Sequence, residues 1–550
     1  MYSVVNGQYN VGGFIGKAEL PSSSKGISII GDDLSSRIAA DDAEAKVTGD
    51  HYVGGFCGYW IGGELKVESQ IKINLPVSGN VLVVGAFGGF QETTISTENF
   101  LFGQSAASVG NTMRVNGNNE TGGFAGRIIR SVLKGTSRFD FSEHGSAIRV
   151  PSPAGFSSVY SGVVAGNQSA GGIVGYASDS ELHYLSCAAT VSGSKNLGGI
   201  AGYINETDNF TVLEDCTFTG IIDTSAASPV GGIVGNFHTK NRGSLQDCVN
   251  YGKITGGEYT GGVIGCLFKD YPEDDTANNE WNIKWCVNVG DISGGSYVGG
   301  IIGGVDVTKF HPGTTYDYTY NTDIKISDCM NAGKIYGRGT GSNHSGGVGG
   351  IVGYTNKWTS IRTCANHGEV YSEEAVHGVG GITGTAGRDS DSTGLMDKYQ
   401  NVDIRECVNT AAVSSGNRDS FVGGVTGYLE EAGELQNCHN LGEIPCHQSH
   451  DSGGIIGCVD HLTNIYRVVN QGKVSYGNAT IGTHKSGSIF NHSSLYYLEG
   501  TGAGWPSGTK VSGANFTKQS SFGGLDFTEV WSMSAGGPVL TRCKWRDVIY

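Results

Sequence analysis

One short unit, Gly-Gly-x-x-Gly with Phe, Ile or Val at the first x, begins at Gly12, Gly54, Gly122, Gly171, Gly198, Gly231, Gly261, Gly299, Gly349, Gly380, Gly423 and Gly453. Val84-Gly85-Ala86-Phe87-Gly88 reads as a degenerate copy between the second and third of these. A repeat this short cannot bury an apolar face by itself and has to stack on its neighbours, which rules out a chain of ordinary globular domains.

A second ladder runs between the glycine units through Cys187, Cys216, Cys248, Cys286, Cys329, Cys364, Cys407 and Cys438, with Val468 in the next place. From Cys248 it widens to Cys-x-Asn-x-Gly-x-Ile, as in Cys248-Val249-Asn250-Tyr251-Gly252-Lys253-Ile254. Each period therefore offers three short apolar segments, and coil-on-coil stacking pairs each with its copy about 4.8 Å away. The fold class read from this is all-β, a single-stranded parallel β-helix (β-solenoid) of about 13 coils with Gly-Gly-x-x-Gly corners. The glycines are expected where the chain needs positive φ or close backbone approach.

Cys248, Cys286, Cys329, Cys364, Cys407 and Cys438 then form a packing column, since stacked parallel Cβ vectors suit buried thiols better than disulfides. Asn250, Asn288, Asn331, Asn366, Asn409 and Asn440 form a column whose amides can bond up the stack. Pairing of Cys57, Cys266, Cys446, Cys458 and Cys543 cannot be read from spacing. The expected organisation is irregular N-terminal coils over 1–165, regular repeats with inserted loops over 166–485, and a capping region over 486–550.

These motifs resemble the GLUG-type repeats of large bacterial surface and secreted proteins, over most of 165–480 and more loosely over 11–130. The stretch Leu495-Tyr496-Tyr497-Leu498 to Gly537-Pro538-Val539-Leu540 is similar to the tails that close such arrays. The resemblance implies an adhesin-like role at the cell surface or outside the cell, and brings no catalytic residue with it.

Charge and composition narrow the partners. A formal net charge of −16 argues against nucleic acid and anionic membranes, which are held by clustered Lys and Arg. No apolar run is long enough to span a bilayer as a helix, so no direct membrane insertion is expected. The opening Val4-Val5-Asn6-Gly7 reads as the middle of a repeat, so further repeats or domains are expected ahead of Met1.

Signatures of catalysis are missing: there is no His-Glu-x-x-His, no phosphate-binding Gly-x-x-x-x-Gly-Lys-Ser/Thr, and no Gly-Gly-x-Gly-x-Asp calcium repeat. Cys446, His447, His450, Cys458 and His461 contain zinc-ligand types without zinc-site spacing, so no metal site is assigned. No cofactor is expected, although acidic loops could seat calcium. Tyr59, Tyr176, Tyr203, Tyr354 and Tyr428 recur after the motif and read as a stacked surface column.

The functional lead is loop length. From the last motif glycine to the ladder cysteine, Gly353 to Cys364 and Gly427 to Cys438 are short, while Gly265 to Cys286, Gly303 to Cys329 and Gly384 to Cys407 are far longer. Insertions at one point of successive coils emerge on one face, where repeat proteins carry binding sites. The candidate binding residues are Tyr271, Asp274, Asp275, Trp281 and Trp285 of the first insertion and Tyr316, Asp317, Tyr318 and Tyr320 of the second. Rings beside carboxylates suit a glycan or a host or cell-surface protein; the other reading is that the loops pack on themselves. The reading is thus a non-catalytic extracellular adhesin or stalk. The alternatives are a polysaccharide lyase or glycoside hydrolase, which needs paired carboxylates in a groove, and a viral tail fibre, which needs trimerisation.

Overall fold

In the computed structural model the chain is nearly all β, 58% strand and 3% helix. The structure describes residues 5–20, 27–29, 36–39, 46–67, 71–74, 76–102, 113–137, 142–144, 147–150, 152–153, 158–207, 210–240, 243–270, 280–308, 324–339, 346–356, 358–374, 376–387, 402–430, 433–446, 451–461, 463–486, 488, 490–504, 508–546 and 548–549. Two compact units are present: residues 1–139, 152–257 and 263–267 form the first, and 140–151, 258–262 and 268–550 the second.

In the second unit a coil is built from Ile292–Gly294 and Tyr297–Gly299 on a first face, Ile302–Thr308 on a second, and Ile324–Ser327 with Met330–Asn331 on a third. The next coil repeats them as Ile335–Gly337, Gly347–Gly349, Val352–Thr355, Thr359–Arg362 and Ala365–Asn366. Pairing is parallel and in register throughout: Ile292↔Ile335, Val298↔Val348, Ile302↔Val352, Ile324↔Thr359 and Asn331↔Asn366. Alternate residues of each strand point inward, so Ile301, Ile351, Ile382 and Val425 on one side and Ile326, Ile361, Ile404 and Leu435 on the other form columns with no exposed surface.

The first unit follows the same plan. Val163–Gly171, Val174–Ser178, Glu181–His183 and Ser186–Cys187 pair with the strands Thr190–Ser192, Lys195–Gly198, Ala201–Asn205, Thr211–Glu214 and Thr217–Phe218 of the coil above. Its early coils fill the core with rings where later ones use Ile or Val: Phe56 meets Phe87 edge-on at 5.4 Å, Phe87 lies tilted 5.5 Å from Phe124, and Phe100 meets all three edge-on.

Both ladders are present, with one correction of register. Ser186↔Thr217 and Cys187↔Phe218 pair, and Phe218 pairs with Asn250. Cys187 therefore stands in the Asn column, and Leu185 occupies the Cys column. The two inward positions lie two residues apart on one strand edge, and a small thiol fits either. Within the second unit, the Asn288 amide donates to Asn331 Oδ1 at 2.7 Å, and Asn331→Asn366, Asn366→Asn409, Asn409→Asn440 and Asn440→Asn470 follow at 2.8 Å each. The second amide hydrogen of each goes to the carbonyl two residues on, as from Asn440 to Gly442 at 2.9 Å. All 13 cysteines are free and buried. Burial pushes the Cys364 and Cys438 thiols well above the ordinary thiol range.

Of the two reasons expected for the motif glycines, the structure shows close backbone approach and not positive φ. None of the repeating motif glycines described has positive φ; left-handed corners fall instead on Asp215 and Asp247 in the first unit and on Trp285, Asp328, Thr363, Glu406, Asn437 and Arg467 in the second, with φ between 51° and 56°. These residues immediately precede the Cys column. Their N–H groups donate to the coil above, as Asp328 to Arg362 O at 3.1 Å and Thr363 to Arg405 O at 3.1 Å, and that ladder bond offsets the strain of the conformation. The motif glycines are needed for space.

Above the last regular coil, Phe490–Leu498 pairs with Thr463–Asn470, and Thr509–Val511 pairs on top of it. Residues 513–549 then turn back along the second unit. They form the short helix Gly513–Phe516, the hairpin Trp531–Ser534 with Gly537–Leu540, the turn Lys544–Arg546, and the strand Val548–Ile549, which pairs with Ala147–Arg149.

Where this segment passes, His439 is wholly buried; its Nε2 lies 2.7 Å from Gln471 Oε1 and its ring is 5.9 Å from that of Trp531. Burial is the main cause holding its pKa down to about 4 from 6.5, against a smaller opposing effect of the Gln471 bond. The unfolded chain thus binds the proton more tightly than the folded one between these values. This contribution to the stability of the second unit is fully present above pH 6.5 and is lost on acidification towards pH 4, where the loss amounts to a few kcal/mol. Urea midpoints at pH 7.5 and 4.5 measure it: His439→Gln, less stable at neutral pH, loses that increment of acid sensitivity. An unchanged acid shift in the variant shows that His439 is not the group responsible.

Candidate functional site

The long insertions leave the coil where the sequence places them, between the second-face strand and the first third-face strand. The first lies between Ile264–Asp270 and Trp281–Lys284, the second between Ile302–Thr308 and Ile324–Ser327, the third between Thr383–Ala386 and Val402–Arg405. The strands that follow them stack in register: Trp281↔Ile324↔Thr359↔Val402. The three insertion points therefore share one corner of the second unit. Tyr271, Asp274, Asp275, Tyr316, Asp317, Tyr318 and Tyr320 lie outside the described residues.

Two candidate rings are described: Trp281 is buried, and Trp285 is half-buried beneath the returning segment. Trp281 is the first residue of a strand, and its side chain is fully buried in the core. It falls on an inward position of the coil, as Ile324 and Val402 do, which corrects its reading as a loop ring. Trp285 is a left-handed corner with φ 55°, its ring 5.7 Å from that of Trp545 and the Lys544 ammonium 5.3 Å from its centroid. The returning segment packs against it.

The tyrosine column is a packed stack. In the first unit, the Arg127 guanidinium lies 5.1 Å over Tyr176, Tyr176 meets Tyr203 edge-on at 5.5 Å, and the Asn205 amide donates to the Tyr176 hydroxyl at 3.2 Å. In the second unit Tyr354 and Tyr428 are buried. Rings from the first face cover them: Tyr297 lies 5.2 Å from Tyr354, and His377 and Phe421 lie 3.8 and 5.4 Å from Tyr428. Tyr297 and Phe421 each stand two residues, and His377 three, before the motif glycines of their own coils; Tyr297 and His377 cover the tyrosine of the next coil and Phe421 that of its own, so the column ties neighbouring repeats together.

The metal-type residues separate. Cys446 and Cys458 are buried, and burial raises their thiols to about 11 and about 12, unfavourable for a thiolate ligand. His447 and His450 lie outside the described residues. His461 instead faces Glu430 and Asp460, with one ligand atom of each within 4.8 Å of the others. Leu429↔Val459 register stacks Glu430 under Asp460. Asp460 also accepts from the Tyr428 hydroxyl at 2.5 Å and from Ser488 Oγ at 3.3 Å, and pairs with His461 Nδ1 at 2.7 Å. Two carboxylates and an imidazole are a donor set suited to a divalent cation. Sequence reading missed this group because its acids lie one full repeat apart.

No protein-family model matches the chain, and neither a curated protein nor a solved structure matches it.

Proposed function

We propose that the protein is a non-catalytic display scaffold of the cell surface or extracellular space, of the GLUG-repeat kind, in which stacked coils hold recognition loops for a glycan or a cell-surface protein. The observation that supports this reading is the common exit of the insertions after Asp270, Thr308 and Ala386 from one corner of the stack, on two neighbouring coils and a third beyond one intervening coil, with the strands after them paired in register. A parallel stack fixes the bases of such loops about 5 Å apart per coil. The loops thereby gain a common footing. Their tyrosines and aspartates give ring faces and acceptors for sugar hydroxyls or a protein surface, and the acids could seat calcium.

The experiment is loop replacement. Residues 271–279 and 310–322 are exchanged for Gly-Ser linkers, singly and together, and the chain is applied to glycan and cell-surface-protein arrays beside a thermal melt. The reading expects the unmodified chain to bind a defined ligand class, the double replacement to lose that signal, and the melting temperature to stay within a degree or two. Binding that survives the double replacement, or a large fall in melting temperature on replacement of either loop, overturns it.

A further inference from the structure

A solenoid coil touches only the coils above and below it, so a stack of this kind frays from its ends and opens one coil at a time. The second unit contains a segment that breaks this rule. Residues 513–549 descend the corner that precedes the Cys column, and each step of the descent meets a different coil. Tyr496 donates its hydroxyl to Gly523 O, and Arg467 Nε donates to Gly524 O at 3.2 Å. Trp531 Nε1 donates to Asn437 Oδ1 at 3.2 Å. Arg542 reaches Glu406 at 3.4 Å, and Cys543 Sγ lies 3.6 Å from Thr363 O. Trp545 Nε1 donates to Asp328 O at 2.6 Å while its own carbonyl lies 2.7 Å from His367 Nε2.

The corner is built to receive such a segment. Because Asp328, Thr363, Glu406 and Asn437 are all left-handed, each coil presents its corner residue in the same orientation. Trp545 and Cys543 take the backbone carbonyls of two of these corners, and Trp531 and Arg542 take the side chains of the other two. The segment also brings its own apolar side chains: Phe516, Phe522, Trp531, Leu540, Cys543 and Trp545 are buried. These side chains belong to one segment that meets five consecutive coils, so it links coils that are not direct neighbours in the stack. At its far end Val548–Ile549 adds a third strand to the hairpin Ser142–His144 and Ala147–Arg149, which as two strands would be marginal in water.

We propose that residues 513–549 are a lock that couples the coils from Trp285 to Ser494 into one cooperative body, so that the second unit opens all at once instead of fraying. The inference stands apart from the display reading, since it concerns how the scaffold holds and not what it binds. Its function is to keep the insertion corner rigid when either end of the stack is stressed.

The native cysteines report on this without added probes. Cys543 lies in the lock, Cys458 and Cys438 in the upper coils, and Cys364 and Cys329 in lower ones. The full chain is pulse-labelled with a maleimide across a urea series and the labelled positions are read by mass spectrometry. Expected are one common midpoint for all five thiols and, in a chain ending at Ser512, labelling of Cys458 and Cys438 at least about tenfold faster than Cys329 in mild urea. Trp545→Ala, which keeps the upper contacts, should free Cys329 and Cys364 before Cys438. The lock is refuted if Cys543 labels ahead of the coil thiols in the full chain, if the full chain already shows a graded series, or if both variants keep a single midpoint. Should the shortened chain not fold, the full chain and Trp545→Ala still decide the matter.

Discussion

Gly424→Val abolishes folding of the second unit or lowers its stability by more than about 5 kcal/mol, beyond the range of ordinary point changes. A Cβ on Gly424 would lie 2.1 Å from Gly454 O and 2.3 Å from Asn440 Cγ, neither of which is the free end of a flexible side chain. The first is backbone of the next coil, and the second is a ladder amide held by bonds at 2.8 Å on both sides. Relief therefore requires the coils to separate, and separation costs the ladder. The same geometry recurs one coil below, where a Cβ on Gly381 would meet Gly424 O at 2.2 Å and Asn409 Cγ at 2.3 Å, so the stack has no softer neighbour to yield. Gly424 has no positive φ, so Ala, with no conformational penalty of its own, should also be severe. Thermal and urea unfolding of both variants measure the effect. A melting temperature within a degree of the parent would mean that the coils are not spaced as described.

What repeats was legible in the sequence, and what occurs once was not. The Asn column could be read because each amide needs the copy above and below it, so one chemistry recurs at one position. Cys187 was misplaced because register depends on strand pairing, and Cys and Asn positions both face inward two residues apart. The corners misled for a physical reason: glycine is the usual left-handed residue, yet here Asp328, Thr363 and Glu406 take that conformation with the help of a ladder bond. The path of residues 513–549 had no sequence signal, since Trp545 on Trp285 or Arg542 on Glu406 is a single meeting of residues far apart in the chain. Of the candidate binding residues, Trp281 was misjudged because it closes an insertion in sequence but opens a strand in space.

That last residue separates stability from recognition. Trp281→Ala is expected to lower the stability of the second unit by about 3–5 kcal/mol, as removal of a fully buried large ring does where the surroundings cannot collapse. Collapse is prevented here by register: Trp281 is hydrogen-bonded in line with Ile324, and Thr359 and Val402 continue the same column, so the strand cannot move inward to fill the space. Tyr316→Ala with Tyr318→Ala lies within the inserted segment and is expected to leave the urea midpoint nearly unchanged while removing array binding. The pair of variants therefore reads two different properties with the same two assays. A Trp281→Ala protein as stable as the parent would place the indole outside the core. A Tyr316/Tyr318 double variant that loses stability and keeps binding would mean that those rings pack the loop, and the recognition face would have to be sought elsewhere on the coils.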